Sequence, residues 1–174
     1  MKTAIQDLAD RFGIILSARN ASDSYLYDGA SIALFRNRYL NEDDFVVTPY
    51  TDDVVLHEIC HWLACSDPEQ RLFPEYGLAM GIGELTAMGD YANGGWYGSS
   101  AFEHGLIDVR EQGVQEALTQ LLSVHFGQKL GIRCLLYGSP MKWDTYRKVK
   151  EKEHRDQPGW WELWEEANAR LPSL

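Results

Sequence analysis

Residues 57 to 61 read His57-Glu58-Ile59-Cys60-His61, the H-E-x-x-H pattern, within a run from Val54 to Cys65 whose spacing is helical and whose neighbours are almost wholly apolar. On a helix, positions i and i+4 stand one above the other, so both imidazoles can reach one cation. Glu58 projects from the adjacent flank, where a carboxylate that does not ligate can take a proton from a bound water or hydroperoxide. The alternative is a chance match of two ordinary histidines. Against it, Val54, Val55, Leu56, Ile59, Trp62, Leu63 and Ala64 leave no polar stripe, and a helix apolar all round is buried. Burying an unpartnered Glu or His costs several kcal/mol, about 3 to 5 for a broken buried pair, so His57, Glu58 and His61 need a common partner. Thr51 can cap this helix, and Asp52 and Asp53 complement its positive end.

Two histidines rarely hold a catalytic ion alone, so a third ligand is sought elsewhere among Glu75, Glu84, Glu111 and Glu116. A second strong helix is expected from Asp108 to Gly127, with an apolar stripe of Val114, Ala117, Leu118, Leu121, Leu122 and His125. Glu111 shares a stripe with Gln115, Leu118 and Leu122, whereas Glu116 shares a face with Gln112, Thr119, Gln120 and Ser123. Periodicity therefore points Glu111 inward as the ligand and Glu116 outward. A capping box from Asp108 to Glu111 is the competing reading of Glu111. Glu84, 23 residues beyond His61, is the second candidate ligand, and Glu75 with Tyr76 is expected in the pocket. Gln115, one turn after Glu111, can hydrogen-bond a ligating histidine and fix its tautomer. His104 and His125 have no partner at ligand spacing.

The rest of the chain must hold these groups in place. Its 174 residues fit one domain spanning 1–174, able to bury roughly 70% of the surface of the unfolded chain. Composition, 45% apolar and 24% charged, is that of an ordinary globular protein without repeats or low-complexity tracts. A helix is expected over residues 2 to 12, ending near Gly13, followed by a Ser/Asn/Asp-rich loop from Ser17 to Ser24. Tyr25 to Phe35 and Phe45 to Tyr50 suggest two or three short strands. Asp67-Pro68-Glu69-Gln70 opens a short helix, and the glycine-rich Gly77 to Ser100 reads as a long loop over the site. Trp143 to Leu171 is helical with a break at Gln157-Pro158-Gly159.

Charge and cysteines narrow the setting. A formal net charge of -10 opposes binding to nucleic acid, which depends on Lys and Arg neutralising phosphates, and a basic partner or a small substrate is easier to accommodate. Lys142 to Arg155 interleaves Lys and Arg with Glu and Asp, which reads as a solvated helix face before a docking patch. Cys60, Cys65 and Cys134 are odd in number and widely spaced, implying reduced thiols that fill the core. No signal peptide opens the chain and no run reaches the ~20 apolar residues of a membrane span, so a cytoplasmic location is expected. Oligomeric state has no signal in the sequence.

His57 to His61 with Trp62, then Glu75-Tyr76-Gly77 after an expected short helix containing Arg71, then Phe102-Glu103, and finally Glu111 with Gln115 together resemble the elongation factor P hydroxylases over roughly residues 51 to 125. The Gly77 to Ser100 segment lacks the Tyr-Trp-Tyr and Pro-Asp-Gly sequences of that family, and Trp96-Tyr97 stands later in it. The resemblance implies non-haem iron held by His57, His61 and Glu111, oxygen-dependent hydroxylation of a lysine-derived side chain, and a translation factor as protein substrate. Two histidines and a carboxylate with open positions suit Fe(II) and dioxygen. The main rival is a small zinc peptidase in which Glu58 activates water and Ser31 to Phe35 forms an edge strand for an extended peptide. A non-enzymatic, metal-stabilised binding domain with a closed site is the third reading, separated from the others by whether Glu58 has a water to act on. The fold expected is a single small α+β domain, zincin-like, with the H-E-x-x-H helix packed on a second ligand-bearing helix and a small sheet.

Overall fold

A computed structural model of the chain describes residues 3–19, 25–27, 31–35, 38–41, 44–47, 51–65, 67, 109–135, 139–156 and 158–171. The expectations for the loop tips near Asp28, the helix after Pro68, the Gly77 to Ser100 loop, and Arg71, Glu75, Tyr76, Glu84, Phe102, Glu103, His104 and Asp108 lie outside those residues. The described part is mostly helical: α1 (Ala4–Arg11), α2 (Asp52–Ala64), α3 (Val109–Leu130), α4 (Trp143–Asp156) and α5 (Trp161–Arg170). Between α1 and α2 the backbone runs through β1 (Ile15–Arg19), β2 (Tyr25–Tyr27), β3 (Ser31–Phe35), β4 (Arg38–Asn41) and β5 (Asp44–Val47). Strand β3 pairs in parallel with β1 (Ile15 opposite Ser31) and antiparallel with β2 (Tyr25 opposite Ala33), while β4 pairs antiparallel with β5. The Ser31–Phe35 strand thus has a neighbour on each side and is not the edge strand the sequence suggests.

Local chemistry sets the helix ends. Thr3 caps α1 by accepting from Gln6 N at 3.2 Å. At its other end Ile14 N–H donates to Ala9 and Gly13 N–H to Asp10, a pairing that requires the left-handed conformation Gly13 adopts (φ 69°). The same pairing closes α3, where Ile132 N–H donates to Gly127 and Gly131 N–H to Gln128, with Gly131 at φ 67°. Helix α3 therefore runs three residues past Gly127. Thr51 occupies the N-cap of α2 in extended conformation, but its side chain makes no capping bond. Asp53, fully buried in the first turn, instead accepts the Leu135 N–H and ties the start of α2 to the chain beyond α3.

Helix α3 is the centre of the helical part, with α2, α4 and α5 packed around it. Leu56, Ile59, Val114, Ala117, Leu121, Leu163, Trp164 and Ala167 belong to one buried apolar cluster. Gly127 lets α4 approach: a Cβ there would stand 2.1 Å from the Trp143 indole. That ring cannot swing aside, because it is buried and its Nε1–H donates to the Ile132 carbonyl at 2.7 Å. Gly127→Ala is expected to lower unfolding free energy by about 2 kcal/mol, overpacking of about 1–3 kcal/mol outweighing a helix-propensity gain of up to about 1. Urea denaturation reads this directly, and an unchanged midpoint would show the Trp143 contact to be yielding. Among the described residues no helix is long and apolar enough to cross a membrane.

Candidate metal centre

Helix α2 presents His57 and His61 one turn apart, with Nε2 atoms 3.1 Å from each other and rings perpendicular at 89°. Glu116, from the middle of α3, brings Oε2 to 3.5 Å from His61 Nε2. Ligand atoms of the three residues all lie within 4.8 Å of one another, so His57, His61 and Glu116 form a group that could hold a metal ion.

Hydrogen bonding fixes which imidazole nitrogen faces this point. Thr119 donates its single hydroxyl hydrogen to the Gln115 carbonyl at 2.8 Å. Toward His61 Nδ1, 3.3 Å away, the same oxygen can only accept, so Nδ1 carries the hydrogen and Nε2 presents a lone pair toward His57 and Glu116. At 3.1 Å, His57 Nε2 either donates a hydrogen bond to His61 Nε2 or, with its hydrogen on Nδ1, turns a second lone pair toward the same point, where a cation would be held by both. Ligating nitrogens about 2.0–2.1 Å from a tetrahedral ion stand about 3.3 Å apart, close to the separation seen. His57 Nδ1 is buried without a hydrogen-bond partner. The donor set of two neutral imidazoles and one carboxylate therefore fits a divalent ion.

The electrostatics agree with a ligand role. Burial first, then the adjacent His61, hold the His57 imidazole neutral, its pKa pushed down to about 4, with Glu116 opposing and Lys150 adding to the fall. A nitrogen free of protons at neutral pH is available to a cation without first losing one. Cys60 is fully buried on the same helix, and its thiol is pushed up to about 12 by burial, which leaves it inert as a nucleophile or ligand. Cys65 and Cys134 are likewise buried and form no disulfide.

Glu111 is not the carboxylate that meets the histidines. It lies half-buried at the first turn of α3, where Arg170 of α5 grips both of its oxygens at 2.6 and 2.8 Å and also pairs with Glu166 at 2.5 Å. Arg110 completes that surface network by pairing with Glu166. Gln115 sends its amide to Glu111 at 3.3 Å, and the tautomer-fixing role expected of it belongs to Thr119, held by the Gln115 backbone carbonyl. The reversal has a physical cause. Gln112, Gln115, Glu116, Thr119, Gln120 and Ser123 are all buried, because the middle of a helix packed against three others has no solvent face. The clue available in the sequence is that this polar stripe lacks Lys, Arg and Asp: one carboxylate among uncharged polar residues suits an interior network better than a solvated face.

Glu58 is half-buried on the flank of α2, outside the three-residue group. Trp62 is partly buried and packs against the core. The Lys/Arg-rich α4 matches its charges internally, Lys150 with Glu153 at 2.8 Å and Arg147 with Glu151 at 3.8 Å, as a solvated face would. His154 escaped the sequence reading entirely; it is buried, with Nε2 3.3 Å from Gln120 Oε1 and Nδ1 3.3 Å from the Trp160 carbonyl. No protein-family model matches the chain, and comparison with curated proteins and with solved structures finds no match either.

Proposed function

We propose that the chain is a metal-dependent enzyme of the H-E-x-x-H type, zincin-like in placing its third ligand on a later helix, and that it hydroxylates a cationic, lysine-derived side chain of a protein substrate. The convergence of His57 and His61 with Glu116 supports this reading. A divalent ion held there supplies Lewis acidity, and as ferrous iron it supplies chemistry toward dioxygen. His57 and His61 offer lone pairs from a buried helix, and Glu116 supplies negative charge that lowers the net charge of the loaded site. Glu58, one position beyond His57 and not among the three, is the carboxylate assigned in this reading to accept a proton from a reactant. A net charge of -10 favours approach of a positively charged side chain.

A zinc peptidase would use the same three ligands, with Glu58 as base. The strand pairing of Ser31–Phe35 on both sides removes the edge on which an extended peptide was expected to add. Elemental analysis of protein purified anaerobically, then assays with iron plus oxygen on lysine-bearing protein substrates and with zinc plus peptide libraries, separate the two. Turnover that requires oxygen supports hydroxylation; oxygen-independent cleavage of peptides overturns it. Glu58→Gln is expected to keep the metal stoichiometry and the thermal midpoint while lowering turnover about 100- to 10,000-fold. Loss of metal or of folding in that variant would instead favour a closed structural site.

A further inference from the structure

We propose that Gln120, oriented by His154, is a positioning residue that fixes which oxygen of Glu116 is offered to a cation. The inference rests on the metal-site reading above and extends it through three helices. Gln120 Nε2–H donates to Glu116 Oε1 at 3.1 Å, which occupies that oxygen and leaves Oε2 as the one facing His61 Nε2 at 3.5 Å. A side-chain amide can make this bond in only one of its two orientations, since its oxygen would repel the carboxylate. In the Nε2–H tautomer of its neutral ring, His154 donates to Gln120 Oε1 3.3 Å away, which keeps the oxygen end there and turns the NH₂ toward Glu116.

The anchor is itself immobilised. Trp160 and Trp164 flank the His154 ring, with centroids 4.6 and 4.7 Å away. The tryptophan-rich C-terminal helix thereby becomes part of the metal site although none of its residues is a ligand. Glu116, Gln120 and His154 are all buried. A purely structural contact between α3 and α4 would be made at lower cost by apolar side chains, because each desolvated polar group must be repaid by its bonds. A chain that begins at a ligand carboxylate and ends on a clamped ring matches the outer partners that orient metal ligands, whose loss typically lowers affinity 10- to 100-fold.

The test measures Zn(II) affinity by competition with a chromophoric chelator, and the visible spectrum of the Co(II)-substituted protein, for wild type, Gln120→Leu, Gln120→Met, His154→Leu and His154→Gln. Thermal midpoints in chelator accompany each. Expected are about a 10- to 100-fold loss of affinity in both Gln120 variants and a smaller loss in His154→Leu, a changed Co(II) spectrum in all three, and recovery in His154→Gln, which retains an N–H donor. Midpoint changes without change in affinity or spectrum would make the chain merely structural and overturn the inference. If one Gln120 variant does not fold, the other and the His154 pair decide. Failure of the wild-type protein to bind Zn(II) or Co(II) would overturn the metal site itself, a different result from wild-type binding that the variants leave untouched.

Discussion

Glu116→Gln is expected to weaken divalent-cation binding more than about 100-fold, beyond the range typical of residues that only orient a ligand. The variant keeps the volume of the side chain and removes its charge and one lone-pair oxygen. Glu116 sits against His61 and in the same cluster as His57, and nothing nearby is placed to substitute for it among the described residues. Glu111→Ala provides the contrast. It breaks the paired hydrogen bonds from Arg170 on the surface of the α3–α5 contact, so metal affinity should remain within about twofold while stability falls by about 1 kcal/mol or less, the scale of exposed ion pairs. Isothermal titration with Zn(II) on both variants measures this. Equal loss in the two would return Glu111 to the ligand set.

The second large effect concerns acid. His57 and His154 are both held neutral in the fold, with pKa values pushed down to about 4, in each case chiefly by burial. For His154 the Trp160 carbonyl, Glu153 and Glu116 oppose the shift and Lys150 adds to it. In the unfolded chain each ring titrates near pH 6.5. Above that pH both states carry neutral rings and stability is at its full value. Between about 6.5 and 4 the unfolded chain binds protons that the folded protein refuses, so stability is lost as pH falls, by about 1.4 kcal/mol per pH unit for each ring that is fully neutral in the fold. Over this window His57 alone accounts for a loss on the order of 3 kcal/mol. Urea unfolding in chelator between pH 7 and 5, a range that limits the contribution of carboxylates, should show a slope that rises toward about two protons near pH 5 for the wild-type protein and toward about one for His154→Gln. A flat profile would mean that both imidazoles accept protons in the folded state.

What was legible in the sequence depended on how local the signal was. The H-E-x-x-H pattern can be read because positions four apart on a helix share a face whatever surrounds them, and His57 and His61 do meet. The ends of α1 and the break between α4 and α5 are also local, marked by Gly13 and Gly159 at positive φ. Choosing between Glu111 and Glu116 required knowing what surrounds α3. A polar stripe of Gln112, Glu116, Thr119, Gln120 and Ser123 resembles a wet face until α2 and α4 are seen to cover it. His154 was invisible for the same reason, since its partner Gln120 lies 34 residues away in the chain. Within a helix rich in Lys and Glu, a single histidine has no periodic signature of burial.

Crystals of the protein soaked with Zn(II), and diffracted at the zinc absorption edge, test most directly whether these three side chains hold one ion. One strong anomalous peak is expected per chain, about 2.0–2.2 Å from Nε2 of His57, Nε2 of His61 and a carboxylate oxygen of Glu116. A peak seated on Glu111, or none at saturating zinc while the three side chains keep their places, would contradict it.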